Sequence, residues 1–229
     1  ALPDSYKTST QAYPVIYVLD GDYHFGVAAG LTQYSNWFRN VPELIIVGIG
    51  YDMETSDEWV QLRDLDFDIP GVPGAASDTK SDLFLEALTQ EIIPFINANY
   101  RTIPSDRCLQ GYSSSGIFVL YALFQQPDAF QRYISGSAIL KHTYDYWIHH
   151  DAQLAARNGS NPLQLYLSVG ELEEEDMPNF QQFVAFLEQV NYPGLTVSSE
   201  IYAGEGHGAE AIALTYLHGI ARVYPQVER

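Results

Sequence analysis

Short apolar runs alternate along this chain with longer amphipathic segments. The run YPVIYVLDGD (13–22) is apolar and then ends in Asp-Gly, a pattern typical of a buried strand followed by a turn. Similar runs predict strands over residues 13–22, 43–50, 107–113, 130–140, 162–170 and 195–204. The intervening segments predict helices over residues 23–38, 81–100, 114–127, 144–159, 177–191 and 209–224, with Gly159 near a helix C-cap.

This alternation of strands and helices predicts an α/β fold. Its sheet is expected to be mostly parallel, with helices covering both faces. In such sheets ligands bind outside the carboxyl ends of the strands, so we look for chemistry in the turns that follow them. The sequence contains no internal repeat and no low-complexity linker, and residues 1–229 are expected to form a single domain.

Two segments depart from the regular alternation. Residues 51–80 contain many Asp, Gly and Pro and show little periodicity, which predicts a long loop that could form part of a site rim. Pro94 lies within the amphipathic segment 81–100, where it should kink the helix or break it in two.

Composition excludes several classes of function. A net charge of -18 with only 11 Lys and Arg leaves no basic patch for nucleic acid, and an anionic membrane surface would repel the chain. The charge should also disfavour anionic substrates. No apolar stretch is long enough to span a bilayer, so we expect a soluble protein; the compartment, cytoplasm or periplasm, stays open. The one cysteine, Cys108, is expected to be a buried thiol.

The stretch GYSSSG (111–116) places three serines between a predicted strand and a predicted apolar helix. A strand–turn–helix of this kind is typical of a nucleophile elbow, where small residues must flank the nucleophile. Ser113 has Gly111 two positions before it and Ser115 two positions after it, whereas Ser114 would have the bulky Tyr112. The steric argument favours Ser113, with some strain expected at Ser115. The alternative is a serine-rich turn that only caps the helix.

A serine nucleophile needs a base, and in this fold class the chain order is serine, acid, histidine. His207 lies in a glycine-rich turn between a predicted strand and a predicted helix, which places it at the carboxyl edge of the sheet. The acid should follow the strand 162–170, where the run ELEEED begins at Glu171. A calcium site in that run is the weaker alternative, because the run lacks the ligand spacing of a calcium loop. We expect no metal and no cofactor.

The remaining site residues follow from the same geometry. The oxyanion hole needs two backbone N–H donors, for which we choose Ser114 and, in the turn after the first strand, Asp22. The substrate pocket is expected to involve Tyr23, His24, Tyr112 and Arg63. A salt bridge with a nearby Asp is the stronger interpretation of Arg63.

These motifs, taken together and in this order, resemble the esterase D-type serine esterases, which include enterochelin-esterase-like hydrolases. The resemblance covers nearly the whole chain through YPVIYVLDGDYHF (13–25), residues 85–137, LYLSVGELEEE (165–175) and YAGEGHG (202–208). It implies an α/β-hydrolase fold and metal-independent ester hydrolysis through a seryl acyl-enzyme.

The resemblance also assigns roles to individual residues. The family motif G-H-S-x-G-G corresponds to residues 111–116 and implies that Ser113 is the nucleophile. The histidine of G-x-x-H-G corresponds to His207. In V-G-x-x-E, Glu173 takes the position of the acid, with Glu171 as the second candidate. Some siderophore esterases of this type work with a Ser–His pair, in which the acid is less important.

The chain departs from the family pattern in several places. Tyr112 replaces a histidine and Ser115 replaces a glycine, which affects the turn and the pocket more than the reaction. The segment GSAILKH (136–142) lacks a tryptophan that is often found there. Family members usually have additional strands before the first one seen here, and we expect this domain to lack them.

Three hypotheses for function follow. The first is a serine carboxylesterase acting on small, short-acyl esters. The second is a siderophore hydrolase that cleaves an enterobactin-type trilactone, which the negative charge disfavours because such ligands are anionic. The third is a degenerate hydrolase that serves as a binding module. In the first two the partner is a small-molecule ester; the natural substrate and the oligomeric state stay open.

Overall fold

The computed structural model describes residues 1–38, 41–53 and 55–224. Within these ranges a parallel sheet of six strands runs in the order β2-β1-β3-β4-β5-β6. The chain goes from β1 outward to β2, crosses back to β3 on the other side of β1, and then adds each later strand beside the previous one. The strands are β1 (Tyr13–Val18), β2 (Ile45–Gly48), β3 (Thr102–Tyr112), β4 (Arg132–Gly136), β5 (Leu163–Gly170) and β6 (Leu195–Tyr202).

Helices occupy most of the connections between the strands. They are α1 (Gly21–Trp37), α2 (Ser56–Phe67), α3 (Ser81–Ala87), α4 (Ile93–Asn99), α5 (Ser114–Gln125), α6 (Leu140–His149), α7 (Ala152–Ala155), α8 (Met177–Val190) and α9 (Ala209–Val223). A π-helical turn (Leu88–Ile92) joins α3 to α4, and a 3-10 turn (Asp4–Lys7) precedes β1. None of these helices has the length and apolarity that crossing a membrane requires.

Apolar residues are buried on both faces of the sheet. In β1, Val15 and Tyr17 join one core cluster, whereas Ile16 and Val18 join the other. Helix α5 packs on β3 and β4 in the first cluster, and α1 and α9 cover the opposite face. The residues of α5 from 115 to 124 are all buried, because this helix lies between the sheet and the outer helices. The predicted α/β fold, with helices on both faces of a parallel sheet, is confirmed.

The prediction of a long loop over residues 51–80 is wrong, because this segment contains α2. The Thr55 side chain accepts a hydrogen bond from the Glu58 N–H and caps the helix. Phe67 is the single fully buried residue of α2, and most of its other positions are polar or charged, so the sequence shows only a weak apolar repeat.

Other boundaries also differ from the pattern-based prediction. A kink or break is predicted at Pro94, and the structure has a π turn that ends two residues before it, at Ile92. Proline has no N–H to donate to a carbonyl of the preceding turn, so the regular helical hydrogen bonding is interrupted there. The helix predicted over 144–159 is two helices, α6 and α7, and Gly159 (φ 73°) lies beyond the second rather than at its C-cap. The single domain predicted for 1–229 includes 39–40, 54 and 225–229, which lie outside the described residues.

Candidate active site

Ser113 lies in the turn between β3 and α5, with a backbone conformation that non-glycine residues rarely adopt. Its φ is 63° and its ψ is -127°. The Ser113 N–H donates to the Gly136 carbonyl over 2.9 Å, and its own carbonyl accepts from the Ile117 N–H at 3.0 Å. These bonds from β4 and α5 hold the strained turn and leave the serine side chain at the carboxyl end of the sheet.

Two glycines allow the first turn of α5 to pass close over β3 and β4. A Cβ atom on Gly111 would lie 2.3 Å from the Ser115 carbonyl oxygen. One on Gly116 would lie 2.7 Å from the Gly136 carbonyl oxygen. The motif therefore needs its small residues at these positions, which agrees with a turn centred on Ser113.

Ser115, which replaces a glycine of the family motif, is buried and hydrogen-bonded. Its Oγ accepts from the Tyr112 N–H at 2.9 Å and donates to the Asp20 carboxylate at 2.7 Å. The strain expected at Ser115 is absent, because its φ is negative; the positive φ of this turn belongs to Ser113. The extra hydroxymethyl group thus supplies an additional contact.

His207 and Glu173 meet across the carboxyl ends of β5 and β6. The His207 Nδ1 lies 2.7 Å from Glu173 Oε2. The Glu173 side chain is 6% exposed, and its Oε1 accepts from the Ser137 hydroxyl at 2.6 Å and from the Gly170 N–H at 2.9 Å. Burial raises the pKa of Glu173, but these hydrogen bonds outweigh it and hold the pKa below its usual value. The carboxylate is therefore charged where it meets the imidazole.

Glu171, the second candidate for the acid, points elsewhere. Its Oε2 accepts from the Gly204 N–H at 2.7 Å, in the turn that leads from β6 to His207. This carboxylate fixes the loop and makes no hydrogen bond to the imidazole, so Glu173 takes the position beside the histidine.

A serine nucleophile is expected to donate a hydrogen bond to its histidine base, but no hydrogen bond joins the Ser113 hydroxyl to the His207 imidazole among the described residues. The Tyr112 ring, one residue before Ser113, lies 5.1 Å from the imidazole between centroids, so the histidine loop covers the elbow. Catalytic hydrogen bonds are often long without a ligand and shorten in the substrate complex.

Two backbone N–H groups are unpaired among the described residues, at the starts of the helices that follow the neighbouring strands β1 and β3. Ser114 is the first residue of α5 and Asp22 the second of α1, positions with no acceptor inside their own helix. Neither N–H finds another acceptor in the described part of the chain, whereas the Gly21 N–H donates to the Ile49 carbonyl at 2.7 Å. The Asp22 carboxylate turns away and accepts from the Tyr51 and Asp52 N–H groups.

The pocket residues predicted from the sequence occupy different environments. Tyr23 is exposed and packs edge-on against Trp59, with 4.7 Å between the ring centroids. Tyr112 is buried, and burial raises its pKa to about 12. His24 is partly buried, and burial lowers its pKa. Arg63 contacts Asp20 through Nε at 3.0 Å and Nη2 at 2.8 Å, the salt bridge that the sequence favours over a substrate contact.

Sequence reasoning missed Asp20, Ser137 and Trp59. Asp20 and Ser137 each follow a strand and have positive φ (53° and 42°), and a polar residue directly after an apolar run is the signal that could have indicated them. Trp59 belongs to α2, which the sequence pattern did not predict.

The chain is similar to known esterases over most of its length. Residues 1–210 match the family model Esterase, described as "Putative esterase". The chain is 28% identical over 218 residues to ferri-bacillibactin esterase BesA of Bacillus subtilis (strain 168), covering 85% of this chain and 73% of that protein.

Solved structures agree with this match. The BES protein from Bacillus cereus superposes with a TM-score of 0.80 and 25% identity over 98% of this chain and 86% of that one. An IroE-like serine hydrolase from Shewanella oneidensis is 22% identical and superposes with a TM-score of 0.81 over 98% of this chain and 74% of that one. At this identity the similarity shows a shared fold. The chain belongs to this esterase family, has the α/β-hydrolase fold, and is a hydrolase that acts on ester bonds.

Proposed function

We propose that the chain cleaves carboxylic esters through a seryl acyl-enzyme, with Ser113 as the nucleophile, His207 as the base and Glu173 as the acid. The observation that carries this proposal is the 2.7 Å contact between Glu173 and His207 Nδ1 over a strained Ser113 turn. Because the buried carboxylate accepts a hydrogen bond from Nδ1–H, the other ring nitrogen, Nε2, is left free to take a proton.

The first half of the reaction forms the acyl-enzyme. Ser113 Oγ attacks the ester carbonyl carbon while its proton passes to His207 Nε2. The carbonyl oxygen becomes an oxyanion that accepts from the Ser114 and Asp22 N–H groups. The intermediate then expels the alcohol, which takes the proton from His207, and the acyl group stays on Ser113.

The second half returns the enzyme to its starting state. Water attacks the acyl carbon and gives its proton to His207, and the same two N–H groups hold the second oxyanion. Collapse of this intermediate breaks the bond to Ser113, which recovers its proton from His207, and the carboxylic acid leaves.

For the substrate we propose a siderophore ester of the trilactone type. The support is the similarity to the ferri-bacillibactin esterase, which is maintained over most of both chains. A small neutral ester is the second candidate, and the charge near the site favours it. The cations beside the site are paired with carboxylates, Arg63 with Asp20 and Lys141 with Glu175, and so have little charge free for an anionic ligand.

Substitution of Ser113, Ser114 and His207 tests the mechanism. Ser113→Ala and His207→Ala should each lower kcat at least about 1,000-fold on p-nitrophenyl acetate, because each removes a reacting group. Ser113→Ala should also abolish labelling by a fluorophosphonate. Ser114→Ala keeps its backbone N–H, so its kcat should fall far less than that of Ser113→Ala. Ser105→Ala, on an exposed position of β3, is the control and should match the unaltered chain.

Full turnover by Ser113→Ala would contradict the assignment of the nucleophile. The substrate class is tested separately by comparing kcat/KM for short acyl esters, feruloyl esters, metal-free trilactones and their ferric complexes. A preference for either trilactone form over all simple esters supports the siderophore proposal, and a preference for the short acyl esters supports the second candidate.

A further inference from the structure

A buried carboxylate joins three elements beside the elbow. Asp20 is fully buried, has a φ of 53° and occupies the turn between β1 and α1. Its Oδ2 accepts from Ser115 Oγ at 2.7 Å and from Arg63 Nη2 at 2.8 Å, and its Oδ1 accepts from Arg63 Nε at 3.0 Å. One side chain thus connects the turn before α1, the first turn of α5 and helix α2.

Ser115 extends this connection to the end of β3. Its Oγ accepts from the Tyr112 N–H at 2.9 Å while it donates to Asp20. A glycine at position 115 would remove the acceptor of a buried N–H and one donor to the carboxylate. Both losses are costly, because buried polar groups without partners are destabilised.

Arg63 balances the negative charge of Asp20. Its Nε and Nη2 groups donate to the two carboxylate oxygens of Asp20. The third nitrogen, Nη1, lies 3.4 Å from Ser114 Oγ, and the guanidinium carbon lies 4.5 Å from the centroid of the Trp59 ring. A buried carboxylate without a cation would repel negative charge that develops nearby. The arginine therefore allows a carboxylate to lie beside a turn that receives an oxyanion.

The two turns that meet through Asp20 are those that present the unpaired Ser114 and Asp22 N–H groups. Asp20 lies two residues before Asp22, and Ser115 follows Ser114 directly. The 2.7 Å bond between Asp20 and Ser115 is therefore a direct link between the two halves of the proposed oxyanion hole.

We propose that Ser115, Asp20 and Arg63 are positioning residues that together fix the separation of the two oxyanion donors. This inference rests on the proposed function. Donors must lie about 2.7–3.1 Å from the oxyanion, and negative charge develops on that oxygen only in the transition state and the tetrahedral intermediate. Loosening the link should therefore lower kcat and leave KM nearly unchanged.

The test compares variants of the full chain at position 115 and position 63. Ser115→Gly and Ser115→Ala both remove the hydroxyl, and each should lower kcat about 10- to 100-fold on p-nitrophenyl acetate. Arg63→Met should lower kcat to a similar extent. Arg63→Lys keeps the charge without the fork and should recover part of the loss.

Two further measurements separate positioning from a loss of stability. The inhibition constant of a trifluoromethyl ketone, whose serine adduct carries an oxyanion, should rise in parallel with the fall in kcat/KM across the series. The double variant Ser115→Gly with Arg63→Met should lower kcat no further than the more impaired single variant, because both substitutions disrupt the same Ser115–Asp20–Arg63 link.

Arg132→Met is the matched control. Arg132 also makes a two-nitrogen contact with a carboxylate, Asp106, but at the opposite edge of the sheet. This variant should lower the melting temperature without changing kcat or the inhibition constant. Should Arg63→Met fail to fold, the two Ser115 variants carry the test alone, since each removes only one or two heavy atoms.

The outcomes distinguish this inference from the proposed function. Normal kcat and inhibition constants in Ser115→Gly and Ser115→Ala, with an inactive Ser113→Ala, overturn the positioning role alone. A loss confined to Ser115→Gly also overturns it, because backbone freedom and not the hydroxyl would then be the cause. Full turnover by Ser113→Ala overturns both.

Discussion

At the scale of single residues, Glu173 illustrates how the site combines burial with charge. Its carboxylate is removed from solvent, which raises its pKa, yet three hydrogen bonds from Ser137, Gly170 and His207 lower the pKa by more. The group is consequently ionised in the folded chain at pH values where an unfolded glutamate begins to take up a proton.

This shift predicts how stability depends on pH. The pKa of Glu173 is lower in the folded chain than in the unfolded chain, where it is about 4.3. Its contribution to the free energy of unfolding is therefore complete above about pH 4.3 and is lost as the pH falls through the folded pKa. Glu173→Gln should lower the free energy of unfolding at pH 7, and the difference from the unaltered chain should shrink in more acidic solution. Urea unfolding between pH 7 and pH 3 measures it.

The same substitution should affect catalysis. Glu173→Gln leaves the size of the side chain but no longer fixes the imidazole tautomer, so kcat should fall about 100-fold or more. Glu174→Gln, the adjacent exposed carboxylate, is the control and should retain both kcat and pH-dependent stability. A Glu173→Gln variant with unchanged kcat would indicate that Ser113 and His207 work as a pair.

At the scale of elements, the close packing of α5 on β3 and β4 depends on positions where a side chain cannot fit. Gly111 faces the backbone of the α5 first turn, so a Cβ atom there would collide with it. Gly26 lies on the exposed side of α1, and a Cβ atom at that position would meet no neighbouring element within 4 Å. The same substitution at these two glycines should therefore have opposite effects.

Gly111→Ala should displace the elbow, since its Cβ would lie 2.3 Å from a backbone oxygen, and we expect loss of activity together with a melting temperature lower by several degrees. Gly26→Ala should instead stabilise the chain by about 0.5–1 kcal/mol, because alanine favours a helix and meets no obstacle. Calorimetry and ester hydrolysis measure both. Equal effects of the two substitutions would contradict this account of the elbow.

At the scale of the whole molecule, the net charge of -18 should control which substrates approach easily. A chain of this charge repels anions over distances comparable with the Debye length. That length falls from about 30 Å at 0.01 M salt to about 8 Å at 0.15 M.

Salt should therefore change the specificity. Over that range kcat/KM for an anionic ferric trilactone should rise several-fold, whereas kcat/KM for neutral p-nitrophenyl acetate should stay nearly constant. The neutral ester also serves as the control for any effect of salt on the fold. A fall in kcat/KM for the anionic substrate would indicate a local positive field that the paired Arg63 and Lys141 do not supply.

The sequence predicted the α/β sheet because strands buried on both faces are recorded as continuous apolar runs, as in YPVIYV (13–18). It also predicted the turns that carry Ser113, His207 and Glu173, since in a parallel sheet these turns must share one edge. Helix α2 was missed because it is mostly polar and buries only Phe67 fully, so its sequence carries little apolar repeat.

Only the tertiary structure decided how individual side chains are used. Glu171 and Glu173 belong to one acidic run, and the sequence does not distinguish their roles. The direction of each side chain is set by the loop after β6, where Glu171 contacts Gly204 and Glu173 contacts His207. The contact between Ser115 and Asp20 joins residues 95 positions apart, which no local pattern records. Continuous apolar runs determined which segments form the sheet, whereas the distances between distant polar groups, on which the chemistry depends, required the folded chain.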